Sequence, residues 1–133
     1  MKLTAKSEYA LLALVHLARN NPNEFQCGKD IAEEQNIPPK FLEHILLTLK
    51  KANYVQSSKG KGGGYRLAKP ASEISVAEIV RLFDGALAPT ESVSRYFYET
   101  TPIHKEQKLV DIFREIRNFI ANKLEHISIA DVS

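Results

Sequence analysis

The sequence predicts a mainly α fold: three helices, a β-hairpin, a fourth helix and one long C-terminal helix. Three observations carry that reading. Apolar residues recur at three- and four-residue spacing over most of the 133 residues. Four of the six glycines, Gly60, Gly62, Gly63 and Gly64, fall between two short extended runs. An apolar stripe then runs unbroken from Leu109 to Ile127.

Residues 4–20 read as the first helix, with Leu11, Leu12, Val15 and Ala18 as its stripe. Asn20-Asn21-Pro22-Asn23 ends it with turn formers. Residues 28–35 make a short second helix, and Asn36 suits a left-handed end. Proline is tolerated in a first helical turn, so a third helix starts at Pro39 and runs to Ala52. Its inward stripe is Leu42, Ile45, Leu46 and Leu49, leaving Lys40, Glu43, His44 and Thr48 on another face. Residues 54–57 and 65–68 flank the glycine loop, which is a hairpin signal. Ser75-Val76-Ala77-Glu78 is a capping box opening the fourth helix, and Gly85 stops it. Residues 86–104 show no period, and Pro89 and Pro102 bracket Tyr96, Phe97 and Tyr98. A helix from Lys105 to Ile127 would be roughly 35 Å long. Its stripe is Leu109, Phe113, Ile116, Ile120, Leu124 and Ile127, widened by Ile112 and Phe119. The expected organisation is therefore 1–85, a linker at 86–104, and a helix with its tail at 105–133.

Composition bounds the function. Hydrophobic residues make up 44% and charged residues 26%, ordinary values for one globular domain. The longest apolar run, Tyr9 to Val15, is far short of the roughly 20 residues a membrane span needs. The start lacks the small-residue cleavage site of a signal peptide, so a cytoplasmic, unprocessed chain is expected. The lone Cys27 forms no internal disulfide and supplies no structural zinc site. The histidines 16, 44, 104 and 126 are scattered, with no pair at helical spacing. No constellation suggests nucleophilic or acid–base catalysis, so no enzyme and no metal site are expected.

Net charge is only +2, but residues 44–72 hold six cations and no acid. The rest of the chain carries −4. One basic block on a near-neutral protein is the footprint of a small nucleic-acid binder, or else a solvated surface. The helix order favours DNA. A short helix, a turn, a longer helix and a basic hairpin form a winged helix-turn-helix, whose last helix can enter the major groove. Glycines let the loop approach phosphates, while Lys59 and Lys61 supply charge. The loop is neither a dinucleotide fingerprint nor a P-loop: the spacing and the strand–turn–helix context are both missing.

The chain resembles the Rrf-two family of bacterial winged-helix regulators, of the IscR, NsrR and CymR type. The resemblance is carried by MKLTAKSEYALLALVHLA, by DIAEEQNIPPKFLEHILLTLKKANYVQSSKGKGGGYRLAKP, by ISVAEIVRLFDG and LAP, and by REIRNFI and ISIADV. It implies a sequence-specific transcriptional regulator, a repressor by expectation. It also implies a homodimer through the long helix, with Leu109, Phe113, Ile116, Ile120, Leu124 and Ile127 as the dimerisation stripe. By resemblance, Lys40, Phe41, Glu43 and His44 occupy recognition positions. Glu43 would accept from cytosine N4, or simply face solvent. Ser57, Lys59, Gly60, Lys61, Gly62, Gly63 and Tyr65 fall on the wing. Ser7 and Tyr9 are candidate phosphate contacts, although Tyr9 also suits a core.

One departure is chemical. Sensor members of the family carry three cysteines that bind an iron–sulfur cluster, and these positions align with about Ser92, Thr101 and Gln107. Hydroxyls and amides are poor ligands where thiolates are wanted, so no cluster is expected. Cys27, at a helix start, and His104, in the linker, remain candidate sensor residues. A buried or inert thiol is the plainer reading of Cys27. Two alternatives stay open: control by a small molecule or protein partner through residues 86–104, or a protein-interaction module without useful DNA affinity.

Overall fold

The computed structural model describes residues 1–133 and follows the predicted order. The helices are α1 (Ala5–Arg19), α2 (Gly28–Gln35), α3 (Pro39–Lys51), α4 (Val76–Asp84), α5 (Gln107–Glu125) and α6 (Ile129–Val132). The hairpin pairs β1 (Val55–Ser58) with β2 (Gly64–Leu67), Val55 opposite Leu67 and Ser58 opposite Gly64. Short 3-10 turns lie at Ala71–Glu73, Glu91–Val93 and Pro102–Lys105.

Local chemistry accounts for the boundaries. Thr4 caps α1 by accepting from the Ser7 N–H. Asn36 ends α2 at φ 54°, the left-handed conformation that asparagine tolerates. Ser75 and Glu78 form a reciprocal cap on α4, at 2.7 and 3.1 Å. Tyr54 also donates to Glu78 at 3.1 Å. Burial and the Glu78 charge together push the Tyr54 hydroxyl up to about 12.

The main core lies between α1, α3, α4 and the hairpin. It joins Ala10, Ala13, Leu14 and Leu17 to Leu42, Ile45, Leu46 and Leu49, with Ile31, Val55 and Ile79 around them. On α1 this is a rotated stripe. Leu11, Val15 and Ala18 only flank the core, and Leu12 is 38% exposed. The α1 sequence is apolar on more than one side, so its period fitted two faces.

The C-terminus also differs from expectation. The long helix stops at Glu125, and a second capping box, Ser128 with Asp131, starts α6. The Val76 N–H donates to the Ile127 carbonyl and the Ile129 N–H to the Ile74 carbonyl, both at 2.8 Å. Ile129 is fully buried in the main core. The tail therefore belongs with the first helices rather than continuing the long one.

Between α4 and α5 the chain closes a loop. The Thr101 N–H donates to Ser92 Oγ at 3.0 Å, the two side-chain hydroxyls meet, and Thr90 joins them at 3.2 Å. Small satellite clusters around Leu87 and Val93 pack this loop against α5.

Candidate nucleic-acid interface

α3 presents two sharply different sides. Its inner side is wholly core, while Lys40, Glu43, His44, Leu47 and Lys51 are all exposed on the outer side. Phe41 lies between the two. Its ring stacks edge-on against Tyr9, with centroids 5.4 Å apart. Phe41 and Tyr9 thus fix α3 against α1, and both are half-buried. Sequence reasoning missed Leu47, although its spacing from Lys40 and Glu43 places it on the outer side.

The wing follows directly. Lys59, Gly60, Lys61 and Gly62 stand exposed at its tip, while Ser57 and Tyr65 face each other lower down, half-buried. Gln26 and Tyr65 exchange backbone hydrogen bonds of 2.7 and 2.8 Å, which adds a one-residue third strand the sequence did not reveal. Gly64 explains itself here. It has φ +139°, and a Cβ would sit 2.1 Å from the Gln26 carbonyl oxygen. Gly63 meets Ser58 in the same way. At both positions the hairpin's own packing already requires glycine.

The basic window divides as well. Arg66 lies over the Phe25 ring at 4.4 Å and donates to Gln56 and to the Asn23 carbonyl. Lys69 lies over Tyr54 at 4.6 Å. Lys50, Lys51, Lys59 and Lys61 are left exposed.

Ser7 is a correction. It is fully buried, and its hydroxyl donates to Asp84 at 2.6 Å, so it is not presented to a phosphate. Thr4 donates to the same carboxylate through its N–H and hydroxyl. Burial alone would raise Asp84, but the hydrogen bonds from Ser7 and Thr4 outweigh it and hold the carboxyl below its usual range. The α1–α4 junction is thereby fixed.

The α5 stripe also needs correction. Phe113, Ile120 and Leu124 pack on the satellite clusters of their own chain, and Ile127 lies in the segment paired with residues 74–76. The outward apolar face is Leu109, Ile112, Ile116 and Phe119, spaced 3, 4 and 3, with Phe119 74% exposed.

The candidate sensor residues do not converge. Cys27 is exposed at the start of α2, not buried. His104 is exposed in the linker, where its N–H donates to the Thr101 carbonyl. His16 is buried, with Nδ1 3.3 Å from Glu34.

Residues 3–133 match the family model Rrf2, described as an iron-dependent transcriptional regulator. The chain belongs to the Rrf2 family. A Mycobacterium tuberculosis relative named as an HTH-type transcriptional regulator is 37% identical over 137 aligned positions, covering 100% of this chain and 81% of the relative. The solved structure of T. potens IscR aligns with a TM-score of 0.76 at 26% identity, over 99% of this chain and 85% of that one. The cysteine regulator CymR of B. subtilis shares the fold, with a TM-score of 0.80 at 24% identity over 99% and 95%. This Rrf2 chain is a DNA-binding transcriptional regulator with a winged helix-turn-helix fold, not an enzyme. None of its helices is long and apolar enough to cross a membrane.

Proposed function

We propose that this Rrf2 regulator is a homodimeric repressor that reads a two-fold symmetric promoter site without an iron–sulfur cluster. The outer face of α5 carries the dimer reading. Leu109, Ile112, Ile116 and Phe119 form one apolar row at near-heptad spacing, and their own chain leaves it uncovered. A second copy presenting the same row completes it, because a two-fold interface is self-complementary. In each half, Lys40, Glu43 and His44 face base edges while Lys59 and Lys61 meet phosphates. Occupying the promoter is then enough to repress.

The linker supports cluster independence. A cluster needs thiolates. Ser92 and Thr101 offer hydroxyls that already bond each other, and Gln107 Nε2 donates to Asp111 at 2.8 Å. This donor set does not fit a cluster. The exposed Tyr96, Phe97 and Tyr98 favour a second reading of the input, in which a small molecule or protein partner acts through residues 86–104.

The test is selection of bound sequences from a random DNA pool, using aerobically purified protein without added iron, with sedimentation of the same sample. A two-fold symmetric motif and a dimer at micromolar concentration are expected. A monomer, or a motif recovered only after iron and sulfide are supplied, overturns the reading. No motif under either condition favours the interaction-module alternative.

A further inference from the structure

The outer face of α3 holds one apolar residue to which neither charge nor family resemblance gives a role. Leu47 is 49% exposed. It stands seven residues after Lys40, four after Glu43 and four before Lys51, directly opposite the buried Leu42, Ile45, Leu46 and Leu49. α3 already buries a complete stripe without it, and about half of Leu47 stays open beside Leu82. A single exposed leucine is ordinary on a protein surface. What singles out Leu47 is its place beside Lys40, Glu43 and His44 on the face proposed to meet DNA, where its open apolar area would face base edges.

The surroundings say which partner. Leu47 shares a shallow groove with Lys6, His44, Lys51 and Leu82. Besides Thr48, the polar residues of that groove are Lys6, His44 and Lys51. No carboxylate lines it, so with Glu43 one turn away the groove itself still complements a polyanion. Among the base edges of the major groove, only thymine offers an apolar group, its C5-methyl. One helical turn carries Leu47 about 5.4 Å beyond Glu43, or roughly one to two base pairs.

We propose that Leu47 reads the methyl group of one thymine in each half-site, next to the base pairs faced by Glu43 and His44. The proposal rests on α3 being the helix that enters the major groove. It makes Leu47 a specificity residue acting by apolar contact, beside polar readers on the same face.

Replacing thymine by deoxyuridine removes only the methyl group, so it isolates this contact. With the selected operator, each thymine in turn is replaced symmetrically by deoxyuridine, and affinity is measured for wild type, Leu47→Ala, Leu47→Met, Lys40→Ala and His44→Ala. Wild type should lose about fourfold per half-site at one symmetric pair of thymines, the loss expected for one buried methyl. Leu47→Ala should show no loss at that pair, and Leu47→Met should restore it. Because about half of Leu47 is exposed, Leu47→Ala should lower the unfolding midpoint only slightly and stay folded under the binding conditions. A Leu47→Ala protein that binds DNA with an unchanged uracil profile overturns the proposal and leaves α3 as the reading helix. If Lys40→Ala and His44→Ala also leave base preference unchanged, the placement of α3 fails, and the proposal fails with it.

Discussion

α3 and α5 are both amphipathic helices, yet their own chain completes only one of them. α3 buries four large aliphatic residues and turns a polar face outward, with Leu47 the one apolar side chain on it. α5 is longer, at 19 residues, yet fully buries only Val110 and Ala121. It leaves Leu109, Ile112, Ile116 and Phe119 in solvent. α3 is thus held by a finished core, while the long helix carries an apolar face that its own chain leaves uncovered. Fold stability and assembly should therefore separate in this molecule.

The largest expected effect tests that separation. Ile112→Glu with Phe119→Glu places two charges on the uncovered α5 face, where each must be desolvated if copies associate. The dimer dissociation constant should rise on the order of 100-fold or more. Sedimentation at micromolar concentration should then report a monomer, and affinity for a two-half-site operator should fall with it. Far-ultraviolet circular dichroism and the main-core unfolding midpoint should hardly change. An unchanged sedimentation coefficient would mean that this face is not the dimer contact.

The second effect belongs to the wing. Gly64→Ala puts a methyl group against the Gln26 carbonyl in a conformation that disfavours a side chain. A loss of about 2–4 kcal/mol in urea unfolding is expected. A cost near zero would mean that the Gln26 bridge does not persist in solution.

These two sites show what was legible in the sequence. Helix order, the α4 capping box, the left-handed Asn36 and the glycine hairpin rest on neighbours within a few residues, and the sequence displays them directly. What stayed hidden depends on distant partners. Nothing near Gln26 announces that it pairs with Tyr65. Nothing near Ser7 announces Asp84, so the resemblance alone points a buried hydroxyl at phosphate. Periodicity shows that a helix has an apolar row but not which of two rows is covered. For that reason the predicted α1 stripe is rotated, and the widened α5 stripe mixes self-packed Phe113, Ile120 and Leu124 with exposed Leu109, Ile112, Ile116 and Phe119. The apolar period running on to Ile127 likewise concealed the break before α6. Leu47 could have been found from its spacing alone.

A smaller effect sharpens the finished side of the comparison. Asp84 ties α4 to the start of α1 through Ser7 and Thr4. Asp84→Asn should cost about 1–2 kcal/mol near neutral pH, because the hydrogen bonds to a charged acceptor are lost. The sign with pH follows from the lowered carboxyl of the folded state. Its contribution is fully present above the unfolded value of about 3.9, and it fades as pH falls through the lower folded value. The gap between wild type and Asp84→Asn should therefore hold from neutral pH down to about 4 and narrow below it. A gap independent of pH down to 3 would mean that the ionised form of Asp84 is not what holds the junction.

The smallest effect should have the opposite sign. Cys27 occupies the N-cap of α2 but makes no side-chain hydrogen bond there, and it is exposed. Serine at an N-cap accepts from the N–H groups of the first turn, which α2 lacks at present. Cys27→Ser should therefore stabilise the fold by up to about 1 kcal/mol, seen as a higher urea midpoint. DNA affinity should not change, because Cys27 lies outside the α3 face and the wing tip. The same variant decides whether the thiol is a sensor. If oxidants alter DNA binding by wild type but not by Cys27→Ser, the signal enters through α2. If oxidants leave both proteins alike, the input lies elsewhere, and the loop closed by Ser92 and Thr101 becomes the segment to probe. A local change in a region finished by its own chain has a sign that neighbouring residues predict. On the outer face of α5, which its own chain leaves open, neighbouring residues predict no such sign.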